Sequence, residues 1–89
     1  MVIYTSLIFA PQMDLMRIFA KNLKLYRTAR GLSQEALAHQ AGLDRTYISA
    51  LERGLYSASI VTIERIAKAL DVEPALLLQR IGKGQGQKS

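Results

Sequence analysis

Residues 34–53, QEALAHQAGLDRTYISALER, constrain the fold more than any other part of the chain. Apolar residues recur at helical spacing on both sides of Gly42: Leu37, Ala38 and Ala41 before it, Ile48 and Leu51 after it. Ser33 precedes the first run, and its hydroxyl suits a free N–H of a first helical turn. Gly42 suits the left-handed position that closes a helix without a Cβ penalty. Asp44 is a second cap, and Gly54 follows the second run. The pattern predicts two short helices, about 33–40 and 45–53, joined by a tight turn at Gly42-Leu43-Asp44. Ala38 must be small because the second helix crosses close to it. Ile48 and Leu51 anchor that helix inward. Arg45, Ser49 and Arg53, spaced by four, share its opposite face with Thr46 beside them.

The remaining segments read as helices packed around this pair. Phe19, Leu23 and Tyr26, extended by Leu15 and Ile18, form an apolar stripe over residues 14–30, with Asp14 as cap and Gly31 as terminator. Arg17, Lys21, Lys24, Arg27 and Arg30 occupy its other faces, Lys21 and Lys24 as a solvated surface. Ile60, Ile63, Ile66, Ala67 and Leu70 make residues 59–70 the cleanest amphipathic segment. Pro74 suits a first helical position, opening a fifth helix through Leu76, Leu77, Leu78 and Ile81. Beyond the apolar N-terminus there is no strand pattern, and there is no repeat. The expected architecture is all-α, one five-helix domain over residues 14–81. Residues 1–13 form an apolar N-terminal extension. It is a loosely ordered extension, or an over-long start assignment with Met13 or Met16 as the real start, or an arm packed on its own domain or on a partner subunit. Residues 82–89, rich in Gly, Lys and Gln, should be a disordered tail.

Charge and composition narrow the function. The net charge of +5 favours a polyanionic partner, since Lys and Arg displace counterions from phosphates. The chain has no cysteine, which excludes disulfides and thiolate metal sites and fits a cytoplasmic setting. His39 is a lone histidine with no second ligand at metal-binding spacing, so no metal or other cofactor is expected. Ser, Asp and Glu form no nucleophile–base set, and no glycine loop cradles phosphate, so no enzymatic activity is expected. The apolar first ten residues are too few to span a bilayer and lack the positive leading region of a secretory signal.

Three groups of residues carry a family resemblance: Gly31-Leu32-Ser33-Gln34-Glu35-Ala36-Leu37-Ala38, then Ala41-Gly42-Leu43, then Ile48-Ser49 with Leu51-Glu52-Arg53-Gly54. With Ile63, Ile66, Ala67, Leu70 and Val72 downstream, the chain resembles the phage-repressor/Cro-type (XRE-like) helix-turn-helix family over roughly residues 19–78. Leu43-Asp44-Arg45-Thr46-Tyr47-Ile48-Ser49 is similar to the recognition segment of restriction–modification controller proteins. The resemblance implies a lambda-repressor-like domain that binds a double-stranded, inverted-repeat operator as a homodimer. Its recognition helix would lie in the major groove, where base edges are distinguishable. Arg45 carries a guanidinium fork suited to guanine O6 and N7, and Thr46, Tyr47 and Ser49 are the further base-reading candidates. Gln34, as the resemblance implies, and Arg53 would meet phosphates. Many relatives carry a basic residue and a proline after the motif glycine; here the loop is Leu55-Tyr56-Ser57-Ala58-Ser59, so a hydroxyl or N–H of Ser57 or Ser59 would substitute. Arg27 and Glu52 occupy positions that often form an ion pair in relatives. Leu76, Leu77 and Ile81 are the expected dimer interface, extended by residues 2–9; the alternative is that the leucines close the base of the core. No membrane role and no small-molecule effector are expected. A competing reading is an antitoxin-type module that neutralises a partner protein through its apolar N-terminus or fifth helix. A third is the DNA-binding subunit of a larger machine.

Overall fold

The computed structural model describes the backbone of residues 2–80 and the side chains of residues 15–80. Its helices are α1 (Val2–Ala29), α2 (Gln34–Ala41), α3 (Arg45–Glu52), α4 (Ile60–Leu70) and α5 (Pro74–Leu77). The all-helical, five-helix expectation holds. Ile81 and the tail 82–89 lie outside the described residues. Among those described, no helix is long and apolar enough to cross a membrane.

Local chemistry sets most helix ends. The Ser33 hydroxyl accepts the Ala36 N–H at 2.9 Å, and the Ser59 hydroxyl accepts the Thr62 N–H at 3.1 Å. Asp44 stands at the N-cap of α3 as expected, but its carboxylate makes no cap bond. The four longer helices close alike, on a left-handed residue: Gly31, Gly42, Gly54 or Asp71. The next residue's N–H then reaches back five positions, as from Leu43 to the Ala38 carbonyl at 2.8 Å and from Val72 to Ala67 at 3.0 Å. At Gly42 (φ 70°) this closure makes the helix-turn-helix corner, which a Cβ would strain. Asp71 adopts the same conformation at φ 60° despite its side chain.

Three expectations need correction. α1 runs through Asp14 instead of starting there, because the backbone of residues 2–13 is itself helical, Pro11 included. Ile60 belongs to the apolar period of α4 but is 82% exposed, since the first turn of that helix projects past the core. α5 is a single turn that ends at Leu77 instead of continuing to Ile81.

The core gathers Phe19 and Leu23 of α1, Leu37, Ala38 and Ala41 of α2, Ile48 and Leu51 of α3, Ile66, Ala67 and Leu70 of α4, and Leu77 of α5. Seven of the large residues are fully buried, each contributing about 1.5–3 kcal/mol relative to exposure. α2 packs on α3 and α4, and α1 packs on α3 and α5. Ala38, buried where α2 faces α3, fills the small-residue position expected of it.

Candidate nucleic-acid interface

α3 is an eight-residue helix, too short to persist in water unless packed. Ile48, Ala50 and Leu51 bury its inner side. That fixes the outer side: Arg45, Thr46 and Arg53 are exposed and Ser49 is half-buried. The Arg53 Nε lies 3.4 Å from the Ser49 carbonyl, a long bond that leaves the guanidinium on the same face as Arg45. Tyr47 is half-buried against the core, so much of its ring is engaged in packing. Ser57 is exposed in the α3–α4 loop, whereas the Ser59 hydroxyl is already engaged by Thr62.

A buried polar set holds this face in place. Glu52, the last residue of α3, accepts from Arg27 Nε at 2.6 Å and from Arg27 Nη2 at 3.1 Å. The two side chains are 3% and 11% exposed. The remaining Arg27 nitrogen, Nη1, donates to the Leu32 carbonyl at 2.8 Å. The expected Arg27–Glu52 pair is therefore formed, bidentate, and tied to the start of α2. Gln34 joins it, donating from Nε2 to Glu52 Oε1 at 3.1 Å. Across the corner, Arg65 of α4 approaches the Gly42 carbonyl at 3.4 Å.

Two of these features escaped the sequence reading. The Gln34–Glu52 bond links residues 18 positions apart, with no local signature. Asn22 is 3% exposed and donates to the carbonyls of Leu76 at 3.2 Å, Leu77 at 2.9 Å and Gln79 at 2.8 Å. It satisfies the otherwise open C-terminal end of α5. Its one visible signal was position: three residues after Phe19 and four before Tyr26, it is a polar residue on an apolar stripe.

The expected dimer residues are divided. Leu77 is fully buried in its own domain and is corrected to a core residue, because its turn of α5 packs inward on α1 and α4. Leu76 is half-buried, and Ile81 lies outside the described residues. Large apolar side chains are instead exposed at the other end of α4: Leu55, Tyr56, Ile60 and Val61. The residues that follow the other left-handed closures, Leu32, Leu43 and Val72, pack on the core, whereas Leu55 does not.

A helix-turn-helix family model, HTH_3, matches residues 23–77. A hypothetical transcription factor of Neisseria meningitidis serogroup B is 46% identical over 67 residues, which is 75% of this chain but 63% of that protein, under two thirds of its length. Control protein C.SmaI of Serratia marcescens is 43% identical over 70 residues, 79% of this chain and 83% of that one. Among solved structures, the restriction-modification controller protein C.AhdI from Aeromonas hydrophila is similar with a TM-score of 0.68 and 48% identity, covering 70% of this chain and 94% of that chain. The controller protein C.Esp1396I, as a tetramer in complex with its natural 35 base-pair operator, matches with a TM-score of 0.67 and 36% identity, over 71% of this chain and 83% of that chain.

Proposed function

The chain belongs to the helix-turn-helix family HTH_3, and from that premise we propose that it is a sequence-specific transcriptional regulator of the restriction–modification controller type. It acts by binding and not by catalysis, in the cytoplasm, on an inverted-repeat operator. The observation that carries this reading is the outward polar face of α3, locked to the core from behind by Ile48 and Leu51 and at its end by Glu52. A rigid helix of this width fits the major groove. Arg45, in the first turn, reaches base edges, with guanine as its natural partner. Thr46 and Ser49 lie beside it, and Tyr47 offers what its packing leaves free. Arg53, Ser57 and Gln34 meet the backbone.

One recognition helix specifies few base pairs, so the functional unit is a two-fold dimer. Its contact surface is the corner of Leu55, Tyr56, Ile60 and Val61, with Leu76 the residue retained from the α5 expectation. Among the described residues Leu55, Tyr56, Ile60 and Val61 are the most exposed of the large apolar side chains, and they lie in the loop after α3 and the first turn of α4. A contact there fixes the spacing of the two recognition helices.

Selection of bound sequences from a random duplex pool tests the reading directly. A two-fold symmetric consensus is expected. Arg45→Ala should lose about 1–3 kcal/mol on the selected site and relax preference at one base per half-site. Failure to enrich any sequence would overturn the reading. An equal loss on selected and random DNA would reassign Arg45 to phosphate.

A further inference from the structure

We infer that Glu52 is a positioning residue for DNA binding, acting through Gln34; the inference rests on the DNA-binding reading above. Gln34 is the first residue of α2, beside the end of α3. Its flexible side chain would lose rotamer freedom on grasping a phosphate oxygen. Here that loss is taken before DNA arrives. Glu52 is nearly fully buried and cannot swing, because Arg27 grips it with two nitrogens and is itself tied to the Leu32 carbonyl. One N–H of the Gln34 amide is engaged by this fixed carboxylate. The amide is planar, so its second N–H and its oxygen are thereby fixed in direction, and that N–H is the donor offered to the backbone. The buried pair thus does more than join α1 to α3. It orients a side chain of α2 toward the nucleic acid, which a hydrophobic pair of equal volume would not do.

The donor is uncharged and the contact independent of sequence, and this gives it a distinct signature. Gln34→Ala should weaken selected and random DNA by the same factor, about ten- to a hundredfold per protomer, the worth of one hydrogen bond to a charged acceptor. The slope of log affinity against log salt should stay unchanged, because no cation leaves the interface. Glu52→Gln keeps the side-chain shape but turns an acceptor into a donor, so it cannot hold both Arg27 and Gln34. It should show a similar loss, and the double variant should lose no more than either single one. Additive losses would overturn the inference, since a residue acting only through the fold would add its effect to that of Gln34. A second measurement needs no variant. In the free, unmodified protein the side-chain amide of Gln34 should be as ordered by nitrogen relaxation as it is on DNA, while that of exposed Gln40 should be mobile. A Gln34 amide as mobile as that of Gln40 would overturn the inference. Loss of all DNA binding by the unmodified chain would instead remove the reading on which it rests.

Discussion

Asn22 offers the sharpest test of how the domain is held together. Its amide has two hydrogens for three carbonyls, so one hydrogen is shared. The bond to Leu77 is buried, whereas those to Leu76 and Gln79 lie nearer water. Asn22→Ala should leave the Leu77 carbonyl unsatisfied, costing about 1–3 kcal/mol, and forfeit about 1 kcal/mol from the wetter bonds. The expected loss is therefore about 2–4 kcal/mol, against a total of about 4–13 kcal/mol for a chain of this length. Asn22→Asp is the more diagnostic change. It preserves the shape but sets a carboxylate oxygen against carbonyl oxygens, so near neutral pH it should cost more than Ala. Burial and those carbonyls raise the folded-state pKa of the new carboxyl above its unfolded value. Its penalty is thus full above the folded value and is relieved as pH falls through it, where the neutral acid can donate. Urea denaturation followed by far-ultraviolet circular dichroism, at neutral and mildly acidic pH, measures both effects. A loss under about 0.5 kcal/mol for the Ala variant, or a pH-independent Asp variant equal to it, would refute the reasoning.

Other expectations follow from the same geometry. Glu52→Ala should cost about 3–5 kcal/mol by stranding Arg27, and replacing both residues with methionine should cost less than the sum of the single changes; a double-mutant cycle without coupling would remove the pair from the account. Asp71→Gly should raise the urea midpoint, with a gain of about 0.5–1 kcal/mol, because glycine relieves the left-handed strain at φ 60° and the exposed 3.9 Å contact with Arg30 is weak; unchanged stability would mean that the conformation carries no strain. Ile60→Asp, at an exposed first helical position, should leave stability within about 0.5 kcal/mol while shifting sedimentation toward monomer; a persistent dimer would move the interface elsewhere.

The parts of this fold that could be read from sequence are those whose causes are local. Ser33, Gly42, Ser59 and Gly54 each act on a backbone group within a few residues, and the bounds of α2, α3 and α4 fall within a residue of their expected positions. Arg27 and Glu52 were paired through the family resemblance, and their geometry agrees. What escaped depends on distant partners. Three adjacent leucines look alike until α1 and α4 are placed around them, and then Leu77 is inside while Leu78 stays exposed. Ile60 keeps the helical period yet falls beyond the edge of the core, because periodicity describes a face and says nothing of where its cover ends. Asn22 could not be assigned, since its acceptors lie 54 to 57 residues away.

The shortness of α2 and α3 has a consequence for control. Helices of eight residues do not outlive the core that supports them. The reading head therefore has no existence apart from the folded domain, and any excursion to the unfolded state erases it. A cell that degrades opened chains would clear the idle protein, while operator-bound copies, stabilised by mass action, would be spared. Occupied sites would then lengthen the lifetime of their own occupant, and the surplus would decay first.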